Sequence, residues 1–265
     1  MWADSFVNPG FEAGSFSGWT IGGGTWEENS STGAVTYTPN ASVGEAKSGV
    51  VTGSGTDANT GGVLQEVFAG SHAARVNNSD SNYHYSTISQ QVANWTNDPL
   101  NGNKLYFSWA AVLEEPSNEH PESAAPHFEI SVFDNSHGTS LYDVAFNVYD
   151  ASQFGVGWHT GASSGSGNWM YSYWVPVALD MSSASGDNIT LSVSAYDCGW
   201  GGHGGYAYVD AFGTAPTQPN EGVLYQGTID GSSSGGTPEA SPLVLLGACL
   251  PFAAAYRHKR RRRKE

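Results

Sequence analysis

Three groups able to bind a metal or carry a proton stand within seven positions in DCGWGGHGG (197–205): the Asp197 carboxylate, the Cys198 thiol and the His203 imidazole. The segment 106–134, YFSWAAVLEEPSNEHPESAAPHFEISVFD, adds His120 and His127, with Glu114, Glu115, Glu119 and Glu122 around them. Histidine nitrogens with a thiolate or carboxylate form the donor set of a tetrahedral zinc site. A metal set of His120, His127, Asp197 and His203 is therefore one expectation. The spacing Asp197-Cys198-x4-His203 matches no standard ligand motif, however. The glycines equally suit a tight turn in which His203 bonds to backbone and Cys198 packs as a small apolar side chain.

Nucleophilic chemistry has less support. GASSG (161–165) has the form G-x-S-x-G, but it lies in the Gly/Ser run HTGASSGSGNW, and that motif works only on a strand-turn-helix. A Cys198–His203 pair would need an orienting third group and an electropositive setting. Glu114 and Glu115 are adjacent, so on a strand they face opposite sides and are not a carboxylate pair for glycoside hydrolysis. A metal- or carboxylate-dependent hydrolase built on His120, His127 and Asp197–His203 is the second functional expectation.

The first is binding. Nine Trp and thirteen Tyr can supply a sizeable core in which most of them are buried, and sugars stack on aromatic faces left exposed. Trp158, Trp169 and Trp200, with His203 beside the last, are the candidate ligand-facing residues, and Tyr171, Tyr173 and Trp174 accompany them. Trp200 leads, because it sits in a glycine loop where no strand pattern buries it. Binding groups commonly lie on loops carried by a rigid scaffold.

Charge narrows the partners. The formal net charge is −15, and seven of the ten Lys+Arg lie in the last nine residues. Residues 1–236 hold only Lys47, Arg75 and Lys104 as basic side chains. Such a body repels nucleic acid, whose binding depends on neutralised phosphates. Two cysteines, Cys198 in the body and Cys249 in the tail, exclude a disulfide framework. The start, MWADSFVNPGF, has neither a basic nor an apolar leader segment.

These groups must be held by strands. Short windows of alternating apolar residues recur: VLQEVF (63–68), HAARV (72–76), STISQQV (86–92), KLYFSWAAV (104–112), HFEISVFD (127–134), SLYDVAFNVY (140–149), YSYWVPVAL (171–179), ITLSVSAYD (189–197) and YAYVDAF (206–212). Gly/Asn/Asp/Ser clusters separate them, and no window over ten residues has helical periodicity. The expectation is an all-β antiparallel sandwich, a jelly roll, over residues 1–215.

The opening NPGFEAGSFSGWT (8–20) resembles the first strand of galactose-binding-like jelly rolls, a fold shared by many carbohydrate-binding modules. Their Asn-x-Gly-Phe-Glu and Gly-Trp stand here as Asn8-Pro9-Gly10-Phe11-Glu12 and Gly18-Trp19. AARV, ISQQV and YVDAF fall where that fold places its later strands. The resemblance implies a structural calcium bridging Glu12 and Asp210, and two carboxylates with loop carbonyls can supply oxygen ligands for it. The segments 106–134 and 197–212 also resemble a domain of large bacterial surface proteins. That likeness implies that the two segments neighbour each other over one end of the sandwich.

From residue 216 the composition changes. A Gly/Ser/Pro-rich linker (216–236) leads to Thr237-Pro238-Glu239-Ala240-Ser241, then mostly apolar residues from Leu243 to Tyr256, then RHKRRRRKE. The apolar run is shorter than the roughly 20 residues of a full crossing, and its basic flank marks the cytoplasmic side. In order and content, residues 237–265 resemble the PEP-CTERM sorting signal of Gram-negative bacteria, with Pro238 and Glu239 in the motif and Ala240 where its second Pro usually stands. The resemblance implies an exosortase-type sorting enzyme as partner, a short C-terminal apolar helix and transient inner-membrane insertion. It also implies delivery to the cell surface or extracellular matrix. The combined expectation is an exported, non-catalytic protein that binds polysaccharide or another matrix component, or serves as a structural coat protein.

Overall fold

Alternation of apolar and polar side chains resolves, in the computed structural model of the chain, into two packed sheets. The structure describes residues 6–115, 120–149, 156–165 and 167–230. In chain order the strands are β1 (Thr20–Glu28), β2 (Val35–Pro39), β3 (Gly49–Thr52), β4 (His72–Val76), β5 (His84–Val92), β6 (Lys104–Glu115) and β7 (His127–Asp134). They continue as β8 (Thr139–Phe146), β9 (Trp158–Ser163), β10 (Asn168–Ser172), β11 (Val175–Asp180), β12 (Ile189–Tyr196), β13 (Gly205–Gly213) and β14 (Ile229–Asp230). One short helix, α1 (Ala41–Lys47), joins β2 to β3. Among the described residues no helix is long and apolar enough to cross a membrane.

The six-stranded sheet has the order β2-β1-β5-β12-β7-β8, and the larger sheet runs β14-β11-β6-β13-β4-β3 with β10 and β9 added beside β6. Pairing is antiparallel except between β11 and β14. The expected all-β antiparallel sandwich is present. Its core lies between the sheets: Ile189, Leu191, Val193 and Ala195 of β12 face Phe107, Trp109, Ala111 and Leu113 of β6, all buried. Trp109 sits between Phe128 and Phe146 at ring-centroid distances of 5.0 and 4.8 Å.

Strand β6 is apolar on both faces because the larger sheet carries a second layer. Ala110 and Val112 turn away from the main core and pack with Tyr206 and Tyr208 under Leu64, Val67 and Phe68. A strand covered on both sides reads as a continuous apolar run. The covering segment contains VLQEVF, an expected strand that is instead irregular, with a single bridge from Gln65 to Thr56.

Three further expectations shift. NPGFEAGSFSGWT forms a series of turns rather than the first strand, because Asn8, Phe11, Gly14 and Gly18 all take positive φ. YSYWVPVAL divides between β10 and β11, which break at Tyr173–Trp174. The body also continues beyond 215: Val223 is buried, Asn220 N–H donates to the Phe68 carbonyl, and β14 pairs with β11. Residues 216–230 belong to the sandwich, where a linker was expected. The rest of that linker, Pro238, Glu239 and the apolar tail helix lie outside the described residues.

Candidate functional site

Strands β12 and β13 are joined by the loop 197–204, and glycine gives that loop its form. Cys198 N–H donates to the His203 carbonyl at 2.8 Å, and Gly201 N–H to the Cys198 carbonyl at 2.9 Å. Gly201 and Gly202 hold φ of 76° and 91°, a region that costs other residues strain. A Cβ at Gly199 would stand 2.7 Å from the Trp26 ring, and one at Gly204 would stand 2.9 Å from the Ser79 carbonyl. The loop is therefore fixed by its neighbours on both sides. His120 reaches it from the segment after β6, with Nδ1 2.8 Å from Cys198 Sγ. The His120 and His203 rings are 4.8 Å apart and nearly perpendicular, and Trp200 lies 5.2 Å from the His120 ring.

One ligand atom from each of His120, Cys198 and His203 lies within 4.8 Å of the others. Burial pushes the Cys198 thiol up to about 12, and the Asp197 and Glu114 carboxylates act in the same direction. It is a neutral thiol at neutral pH, so spontaneous thiolate catalysis is disfavoured. Glu114 braces the loop: Oε2 accepts from Gly204 N–H at 3.0 Å, and Ser164 Oγ donates to Oε1.

The other two members of the expected metal set stand elsewhere. Asp197 is fully buried and accepts from Asn77 Nδ2 at 2.9 Å, His84 N–H at 3.1 Å and Gly205 N–H at 3.3 Å. It ties the ends of β4, β5, β12 and β13 together, and its Oδ2 lies 3.5 Å from His84 Nδ1, outside the His120/Cys198/His203 group. Burial raises its pKa. His127 stacks on Tyr196 at 4.2 Å and meets the edge of Trp26 at 5.1 Å. Both were expected in the set because segments 106–134 and 197–212 were expected to neighbour each other; Asp197 instead binds Asn77 and His127 stacks on Tyr196.

Glu12 and Asp210 do converge. Asp210 sits at a bulge in β13, where Ala211 takes a φ of 60°. Its Oδ2 accepts from Phe68 and Ala69 N–H, while Glu12 Oε1 accepts from Ser71 and His72 N–H. A Cβ on Gly10 would stand 3.5 Å from Asp210 Oδ1 and 3.9 Å from Glu12 Oε1, so both carboxylates border one small space. Burial, with Glu12 adding to it, pushes Asp210 up to about 8. Two hard carboxylates beside one another, with neither paired to Lys or Arg among the described residues, fit a divalent cation. Glu12 and Asp210 would hold it, tying the N-terminal turns to β13.

A further group was not anticipated from the sequence. On the side of the six-stranded sheet away from the main core, Tyr37, Trp26, Tyr85, Tyr196 and His127 form a row of rings with neighbouring centroids 4.2–6.5 Å apart, in which Trp26, Tyr85 and Tyr196 are buried and Tyr37 and His127 half-buried. Tyr196 Oη donates to Glu129 Oε2 at 2.9 Å. Burial pushes Glu129 up to about 7, although the Tyr196 hydrogen bond opposes this. Along the same face run Thr87, Ser89, Ser131, Ser192 and Ser194, with Thr87 and Ser194 hydroxyls 2.8 Å apart. The available signal was the strand text itself: the outward positions of STISQQV and ITLSVSAYD are short hydroxyls where a plain solvated face would carry Lys and Glu.

Of the candidate ligand-facing rings, Trp169 is only 6% exposed and packs on Tyr206 at 5.7 Å, because the second layer covers that side of β10. Tyr171 and Trp174 are buried in the same layer. Trp158 is half-buried against the main core, and Trp200 is half-buried beside His120. His203 is buried. Tyr173, half-buried, stacks on His159 at 4.0 Å.

No family model and no curated protein matches the chain. Among solved structures, the chain is similar to TmCBM61 in complex with β-1,4-galactotriose, at 14% identity and a TM-score of 0.40, over 80% of this chain and 97% of that one. It is also similar to CBM28, a carbohydrate-binding module specific for non-crystalline cellulose, at 12% identity and a TM-score of 0.36, over 82% and 100%. A third likeness is to an exo-β-agarase, at 10% identity and a TM-score of 0.36, over 81% of this chain and 25% of the agarase.

Proposed function

We propose that the protein is a non-catalytic glycan-binding module and that polysaccharide lies along the outer face of the six-stranded sheet. The observation that carries this reading is the outward track of partly exposed hydroxyls, Thr87, Ser89 and Ser192, on the same face as the partly exposed rings of Tyr37 and His127, which the buried Trp26, Tyr85 and Tyr196 hold in place. Sugar C–H faces pack on aromatic rings, and hydroxyls both donate to and accept from a sugar without the desolvation cost of charge. Trp200 and Tyr173 are half-buried rings whose exposed edges can contact ligand beyond that face. A calcium ion held by Glu12 and Asp210 would have a structural role.

The basic, apolar and Pro238-Glu239 features of residues 237–265 support an export role in which an exosortase-type enzyme processes the tail. The ligand would then be a surface or matrix polysaccharide. A glycan array probed with the full chain, with and without chelator, tests the binding reading. Retention of a defined polysaccharide supports it, and no retention in either condition overturns it. Mass spectrometry of the cell-surface form tests the tail: an intact C-terminus there would overturn the sorting proposal.

A further inference from the structure

We infer that His120, Cys198 and His203 form a binding site for a thiophilic transition-metal ion of the zinc class. The inference does not rest on the glycan reading. Two imidazoles and a thiol arrive from two separate chain segments, and one ligand atom from each lies within 4.8 Å of the others. A tetrahedral zinc ion with Zn–S of about 2.3 Å and Zn–N of about 2.0–2.1 Å separates its S and N ligands by about 3.5 Å and its two N ligands by about 3.3 Å. The His120 Nδ1 to Cys198 Sγ distance of 2.8 Å is that of a hydrogen bond and must open slightly. Small side-chain rotations on a fixed loop accomplish this.

The surroundings prepare the site. Glycines at 199, 204 and 205 are closed in by Trp26, Ser79 and Tyr196, so the loop backbone is placed before any ion arrives. Glu114 accepts from Gly204 N–H and so fixes the backbone next to His203. Cys198 is the free cysteine of the described residues, so no disulfide competes for its sulfur. A donor set of two imidazole nitrogens and one sulfur selects zinc or copper over calcium or magnesium, which take oxygen. Binding exchanges the thiol proton for the metal: Cys198 becomes a thiolate ligand, the proton leaves to solvent, and each histidine gives one neutral nitrogen lone pair. Three protein ligands leave the fourth position to water or an incoming ligand.

Cobalt(II) is the probe. The full chain, reduced and stripped of metal, is titrated with cobalt(II) chloride in the presence of excess calcium. One equivalent should produce a thiolate-to-cobalt charge-transfer band with the strong visible bands of a tetrahedral ion, and zinc should bleach both. Cys198→Ser should remove the charge-transfer band, and His203→Asn should weaken zinc binding by more than the roughly 10–100-fold that loss of an outer-sphere partner causes. His137→Ala, in the Asp134/His137/Asp187 group, and Cys249→Ser should leave the spectrum unchanged. Absence of the charge-transfer band in the unaltered chain overturns the site, whatever the variants do. A band that survives in Cys198→Ser also overturns it.

Discussion

Tyr196 donates its hydroxyl to Glu129 across neighbouring strands, and the pair closes one end of the ring row on the outer sheet face. Glu129 is 7% exposed, and burial moves its carboxyl from 4.5 to about 7. The folded state therefore binds a proton that the unfolded chain releases between those values. Stability contributed by this proton is complete below the unfolded value and is lost as pH rises through about 7, by up to ~3 kcal/mol at 1.36 kcal/mol per unit. Glu129→Gln keeps the shape and removes the titration. Urea unfolding of this variant should show a flatter pH dependence between about 4.5 and 7 than the unaltered chain, and higher relative stability above it. Parallel profiles would show that Glu129 ionises normally.

Glu12 and Asp210 make the second prediction. If calcium occupies the space they border, saturating calcium should raise Tm, by the equivalent of about 2.7 kcal/mol at a hundredfold excess over Kd. Chelator should reverse the rise, and Asp210→Asn should abolish the response while the cobalt spectrum described above persists. An unchanged Tm in calcium and in chelator would remove the ion from the account.

The third prediction separates the sheet face from the loop. Ser192 points outward from the middle of β12, next to Ser89 and Ser131 on the flanking strands. Ser192→Arg places a long cation across the hydroxyl track without entering the core, and surface changes of this kind usually shift stability by no more than about 0.5 kcal/mol. Glycan retention should fall more than tenfold in affinity gels while Tm holds. Trp200→Ala should reduce retention less, since a single ring at the edge contributes less than the central track. The reverse ranking would move the binding surface to the loop.

Much of the sandwich is legible in the sequence, because β5, β6, β7, β12 and β13 alternate under enough apolar side chain to declare their period. β1 was illegible: Gly22, Gly23 and Gly24 carry no side chains to alternate, and their role is to admit α1, since a Cβ on Gly44 would stand 1.8 Å from the Gly22 carbonyl oxygen. Alternation also gives a period without saying which face meets the core. Tyr85 and Tyr196 turn away from the main core and are buried on the other face beside Trp26, which only the pairing reveals. The same limit separates Asp197 from Cys198: sequence placed both near His203, and only the strand end decides that the acid turns inward while the thiol meets His120.

The last prediction concerns where the folded body stops. Residues 216–230 have the composition of a linker, yet Val223 is buried in the second layer, and Trp174 and Leu224 are joined by a backbone hydrogen bond. Asn220 bonds to the carbonyls of Phe68 and Gly70, beside the Glu12–Asp210 space. Burying one valine contributes ~1.5–3 kcal/mol, and each net hydrogen bond adds about 0.5–1.5 kcal/mol. A chain ending at 230 should melt with the full-length protein. A chain ending at 215 loses these contacts and uncovers Trp174 and Phe68, so its Tm should fall by ~5–15 °C at about 2–4 °C per kcal/mol. Equal melting of the two truncations, followed by circular dichroism, would return this segment to the linker and leave the second layer to stand on residues 53–70 alone.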